Sequence, residues 1–195
     1  MIEYPEYQEY MNNGKDVFGD DRQFLASVID AYMAEDSSLY DYYADRDLSF
    51  NSDFQVAIYL LWKFINEMPA SFGVDSAMPP LYKAEAEDKE FVVKLFEKTI
   101  LHADEFRELV NANISNWDYD RLALMDKILI FMALTEFTEF HFIPVKVTIN
   151  EYIEISKFYS TPDSRRFVNG MLDKLAAILK EEGKIVKTGL GLIDK

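Results

Sequence analysis

Apolar residues recur at intervals of three and four through most of the chain, which is the period of helices with one buried face. Phe24, Val28, Ala31 and Tyr32 define one such face. A short helix follows from Ser37-Ser38, and a longer one carries Phe54, Ile58, Leu61, Ile65 and Met68, with Asn51, Ser52 or Asp53 as its cap. Pro69, Gly73, Pro79 and Pro80 then interrupt the pattern and predict a loop. Helix resumes near Lys83 or Glu85, placing Phe91, Leu95, Ile100 and Leu101 on or near one face, and after a break near Ala103 it continues through Phe106, Val110 and Ile114. Ser115-Asn116 turns the chain. From Trp117 to Phe140 the sequence is apolar nearly all round, which predicts a central helix, Trp117 included in the core, surrounded by others.

The stretch from Pro144 to Lys174 reads as two helices joined by an elbow. The first places Val145, Ile149, Tyr152 and Ile153 on one face, and the second Phe167, Val168, Met171, Leu172 and Leu175. The branched residues of 145–149 favour a strand locally, but the run onward to Ile155 overrides that preference. In the elbow, Thr161 is placed to cap the second helix, Pro162 suits its first position, and Asp163 suits the positive end of its dipole. Gly183 ends that helix. The fold class is all-α: residues 1–80 form an N-terminal helical extension with its linker, 81–183 a helical bundle, and 184–195 an extended or mobile tail. The first twenty residues read as irregular.

Charge alters this picture in one respect. The chain of 195 residues carries a formal charge of −15, which opposes wholesale binding to phosphate backbones. Yet residues 1–90 hold 19 of the 35 acids and only 6 of the 20 bases, so the acidity lies at the front. Within the second half Arg165 and Arg166 stand together at the elbow. There is no cysteine, which rules out disulfides and thiolate chemistry and fits a cytoplasmic protein. Leu122 to Phe142 is interrupted by Asp126, Lys127, Glu136 and Glu139, so a membrane span is not expected.

No catalytic or cofactor pattern emerges. Asp41, Asp45 and Asp47 lack the glycine and terminal glutamate of a calcium loop, and Glu136 and Glu139 lack the histidines of a di-metal bundle. His102 and His141 stand isolated. Gly189-Leu190-Gly191 is too short for a dinucleotide fingerprint. The expectation is a protein that is not an enzyme and uses no cofactor or metal.

Several blocks carry more than periodicity. Asn116-Trp117-Asp118-Tyr119-Asp120-Arg121-Leu122, then Ile143-Pro144-Val145-Lys146-Val147, Ile149-Asn150-Glu151, Lys157, and Ser164-x-x-Phe167-Val168-Asn169-Gly170-x-Leu172-Asp173-Lys174 together resemble the NusB transcription antitermination family, over roughly residues 90–183. The likeness is to a longer bacterial form with extra helices ahead of the bundle. It implies a non-catalytic factor that pairs with the ribosomal protein NusE and binds boxA RNA within the RNA polymerase antitermination complex. In that family RNA is met by an arginine-rich first helix and by the elbow before the last helix. Carried over, the elbow gives Asp163, Ser164, Arg165, Arg166 and Phe167 as RNA-binding residues, and Asp126 falls at an acidic position of the NusE-facing surface. Two guanidinium groups beside an aromatic ring suit phosphates and an unpaired base.

Two departures stand beside these matches. The opening of the chain has Lys15 and Arg22 as its early bases and no arginine-rich helix, and Phe131 stands where many members have arginine. Both remove cations from the RNA surface, and the pattern is that of a fragment or shortened form. Two alternatives follow: a protein-interaction scaffold with lost or weak RNA binding, and the NusB-like domain of an RNA methyltransferase. Asn169-Gly170 reads as structural, the glycine permitting a close helix crossing and the asparagine satisfying a buried backbone group.

Overall fold

Phe54, Ile58 and Ile65, four and seven residues apart as one face of a helix requires, are buried together with Ala26 and Ile29. They belong to the first of two units into which the chain divides, residues 1–80 and 81–195. The computed structural model describes every residue except 1–4, 15–16, 34–36, 48–49, 81, 83, 115–117 and 193–195. The expectations for Ser115-Asn116 and Trp117, and for the side chains of Tyr32, Asn51 and Ser52, lie outside the described residues. The protein is all-α, with no strand among the described residues.

In the first unit, α1 (Pro5–Asn12) occupies the region read as irregular, and α2 (Phe18–Val28) is the helix expected from the spacing of Phe24 and Val28, begun already at Phe18. The ring of Tyr10 on α1 stacks on Phe24 of α2 at 4.2 Å, and its hydroxyl donates to Asp21 at 2.6 Å. A helix this short stays folded through such docking rather than by its own propensity. A π-helical turn, Ile29–Met33, prolongs α2, and α3 (Ser37–Ala44) and α4 (Phe50–Glu67) complete the unit. Of the face expected on α4, Leu61 stands 37% exposed.

The second unit is built around one helix. It comprises α5 (Glu85–Leu101), α6 (Ala103–Asn113), α7 (Leu124–Glu139), α8 (Val145–Tyr159) and α9 (Ser164–Glu181). As its all-round apolar sequence requires, α7 packs against α5, α6, α8 and α9. Leu129, Ile130, Ala133, Leu134 and Phe137 are buried along it. It begins later than the sequence pattern suggests. Asp118 accepts the Asp120 amide and caps a 3-10 turn at Tyr119–Arg121, after which Leu122 and Ala123 run extended into the first turn of α7. On α5 only Leu95 of the expected face is buried, while Ile100 and Leu101 are 60% and 71% exposed.

The segment expected to be extended or mobile after α9 is docked instead. Gly183, at φ +69°, reverses the chain. Lys187 Nζ then donates to the backbone carbonyls of Glu136 and Phe140, both at 3.0 Å, at the C-terminal end of α7. The Thr188 amide donates to the His141 carbonyl at 2.8 Å. Gly191 lies so close that a Cβ there would meet that same oxygen at 2.1 Å. A side chain at this position is incompatible with the docked tail.

Candidate nucleic-acid interface

The elbow between α8 and α9 is fixed by serines, not by the proline cap that its sequence suggests. Thr161 to Ser164 form a turn in which the Ser164 amide donates to the Thr161 carbonyl at 3.0 Å, and α9 begins only at Ser164. Asp163 holds the cap position without a side-chain bond, and the Thr161 hydroxyl pairs with the Ser164 hydroxyl at 2.8 Å rather than with a helix amide. Pro162 therefore shapes the turn and not the first helical residue.

Beneath this turn lies Asp126. Its Oδ1 accepts from Ser160 at 2.5 Å and its Oδ2 from Ser164 at 2.8 Å. Asp126 is 5% exposed and Ser164 1%. Two residues expected to meet a ligand directly are thus inside the protein, because a carboxylate left among apolar side chains needs donors and finds them in the elbow. Their geometry is that of a tie: the first turn of α7 holds the α8–α9 junction in place.

What the tie presents to solvent is Asp163, Arg165 and Arg166, all exposed on the turn and the first turn of α9. Neither guanidinium has an ion-pair or hydrogen-bond partner among the described residues. They overlook a cleft of about 690 Å³ between α8 and α9, whose walls include Asn150, Glu154, Asp163 and Asn169. Glu154 is already engaged by Lys157, so its charge is compensated in place. Phe167 is half-buried against the core and not an open stacking platform; it borders a second, smaller groove of about 240 Å³. Arg166 lines both. The arrangement offers two unsatisfied cations, amide side chains and open space at one helix end, which suits a polyanion with exposed polar edges.

Asn169 and Gly170, read as structural, are both exposed. Among the described residues no helix crosses there: a Cβ on Gly170 would meet nothing within 4 Å. Phe131 packs half-buried against the core beside Phe106, ring centroids 6.0 Å apart. The histidines are not isolated. His102 lies 3.5 Å from both Glu105 and Glu139, and His141 Nδ1 sits 2.6 Å from the Val186 carbonyl.

Sequence reading missed the pairing of a second buried carboxyl on α7. Glu136, 7% exposed on α7, accepts from the Tyr152 hydroxyl at 2.7 Å and the Thr148 hydroxyl at 3.0 Å, both on α8. Burial pushes the Glu136 carboxyl above its ordinary range, against the opposing pull of those two bonds and of the Lys187 charge. Burial also drives the Tyr152 hydroxyl far upward, with the Glu136 charge adding to it, so Tyr152 remains a donor. Only the helical spacing of Thr148 and Tyr152 could have signalled a shared partner, and it does not name one.

Among the described residues no cluster of histidine or carboxylate side chains could hold a metal ion, and no helix is long and apolar enough to cross a membrane. A family model, described as the NusB family, matches residues 64–177. The transcription antitermination protein NusB of Salinibacter ruber is 41% identical over 105 residues, covering 54% of this chain and 66% of that protein. The protein of the same name from Chloroherpeton thalassium is 37% identical over 111 residues, 57% of this chain and 53% of its own length. That of Methylacidiphilum infernorum is 35% identical over 121 residues, 60% and 82% respectively. The chain spans about two thirds and about half of the first two relatives.

Proposed function

The chain belongs to the NusB family, and from that premise we propose that it acts as a non-catalytic transcription antitermination factor, binding boxA-type RNA at the elbow and the ribosomal protein NusE near the start of α7. The observation that carries the RNA reading is the pair Arg165 and Arg166, held over an open cleft by a buried tie in a chain whose net charge is −15. Two adjacent cations without partners repel each other, and an anion that meets both relieves the repulsion. Asp163, Arg165 and Arg166 make the contacts at the elbow, Phe167 borders the smaller groove beside them, and Ser164 and Asp126 position them.

Replacing Arg165 and Arg166 together with alanine is expected to weaken binding to a boxA RNA. It should also lower the slope of log affinity against log salt by about 1.4, or about 0.7 for each phosphate of a single strand that is no longer neutralised. Fluorescence polarisation at several salt concentrations measures both. If the wild-type chain shows no salt-dependent affinity at all, the protein-only scaffold is the better reading.

The NusE reading draws on a different surface. Leu124 and Ile128, one turn apart on the otherwise buried α7, are 70% and 38% exposed, and Asp126 lies between them in sequence but inside. A partner docking there would cover apolar area and sense the tie beneath. Mixing the purified chain with NusE at micromolar concentration is expected to give a 1:1 complex on size exclusion; separate elution of the two would eliminate this part of the proposal.

A further inference from the structure

Gly170 is the seventh residue of the 18 in α9, well inside the helix. Glycine there gives up more backbone freedom on folding than any other residue and weakens the helix relative to alanine. Nothing described inside the protein asks for it. Its φ is not among the positive values, and a methyl group on its Cα would find open space. What the glycine does provide is bare backbone at the surface, in the groove of about 240 Å³ bordered by Arg166, Phe167, Lys174 and Asn113.

The flanking residues say what kind of molecule could use such a surface. Arg166 and Lys174 lie one turn to either side of Gly170 on the same stripe, both exposed, and about 12 Å apart along the axis. Arg166 also lines the elbow cleft, so the groove begins where the cleft ends. Lys174 Nζ donates to the Asn113 carbonyl at 2.7 Å. An ammonium has three donors, and among the described residues no further acceptor takes the others. The groove joins the two cations and Asn113 to the apolar Ile114, Phe167 and Met171, a mixture that suits the phosphates and base faces of a single strand. Met171 is buried and Phe167 half-buried against the core, so each offers the groove only part of its side chain.

We infer that α9 carries a second stretch of the nucleic-acid path. A single-stranded RNA leaves the elbow cleft over Arg166, lays its sugar–phosphate backbone against the bare helix at Gly170, and is held beyond it by Lys174. This extends the reading of the elbow as an RNA interface and rests on it.

The test uses the full chain and a short fluorescent single-stranded boxA RNA, with thermal melting alongside. Gly170→Ala is expected to raise Tm by about 2–4 °C, since alanine fits and favours the helix. It should bind RNA on the order of tenfold more weakly, the methyl group holding the strand off, without altering the salt slope. Lys174→Gln should lower that slope by about 0.7. Greater stability with poorer binding cannot arise from misfolding. If both variants bind like wild type while the Arg165 and Arg166 double variant loses affinity, the extended path is overturned and the elbow stands. If Gly170→Ala melts lower, the glycine has an internal role and the inference fails. Should both variants keep RNA affinity but fail to co-elute with NusE, the groove belongs to a protein and the path is overturned. A wild-type chain that binds no RNA overturns the path and the elbow together.

Discussion

Asp126→Ala is expected to cost residues 81–195 about 2–4 kcal/mol and to abolish RNA binding at protein concentrations where wild type binds, although Asp126 touches no solvent-facing ligand position. Both carboxylate oxygens are used, at 2.5 Å by Ser160 and at 2.8 Å by Ser164, in a site where Asp126 is 5% exposed. Hydrogen bonds to a charged group contribute about 1.5–3 kcal/mol each. The elbow also loses its anchor, and Arg165 and Arg166 follow Ser164 directly in sequence. Asp126→Asn keeps the shape and should recover about half of the lost stability, because an amide oxygen accepts more weakly than a carboxylate. Urea denaturation followed by circular dichroism reads the first effect and RNA titration under native conditions the second. An Asp126→Ala protein within about 0.5 kcal/mol of wild type would show that the tie does not hold the elbow.

The second large effect is expected at Glu136, and it depends on pH. Glu136→Ala removes the acceptor of the Tyr152 hydroxyl, 2% exposed, and one acceptor of Thr148, which is fully buried. The loss is about 2–4 kcal/mol, combining an unsatisfied hydroxyl with a small cavity. Burial is the dominant influence on this carboxyl and raises its folded-state pKa above the unfolded value. Between those two values the native state holds the extra proton, so stability from this group rises as pH falls through the folded pKa, and it is fully present below the unfolded one. The gap between wild type and Glu136→Ala should therefore widen from neutral pH toward about pH 5. Other carboxyl groups titrate equally in both proteins and cancel in the difference. A gap that narrows on acidification would mean that the charged form is the favoured one in the folded state.

Most of the bundle was legible because its helices are one-sided. Val168, Met171, Leu172 and Leu175 on α9, and Ile149 and Tyr152 on α8, were placed inside by spacing alone and are buried. The all-round apolar run of α7 marked the centre, and the absence of catalytic patterns steered the reading away from an enzyme. Positions that depend on a distant partner were not legible. Asp126 meets Ser160 and Ser164 across 34 and 38 residues, and no local period encodes such a pairing. The proline cap failed for the same reason: the serines, drawn down to Asp126, move the helix start two residues past Pro162. Ile100 and Leu101 continue the periodicity of α5 yet point outward, since period fixes a face and not what lies against it. Gly170 was misread because a glycine that admits a neighbour looks in sequence like one that has one.

The docked tail also has a consequence in time. Glu136 in the last turn of α7 and Phe140 just past it offer their carbonyls to the Lys187 side chain, which lies 51 and 47 residues further along the chain. During synthesis α7, α8 and α9 all leave the ribosome before that lysine does. The central helix of the second unit is thus made well before the lysine that bonds its C-terminal carbonyls, and that contact forms onto a helix already present.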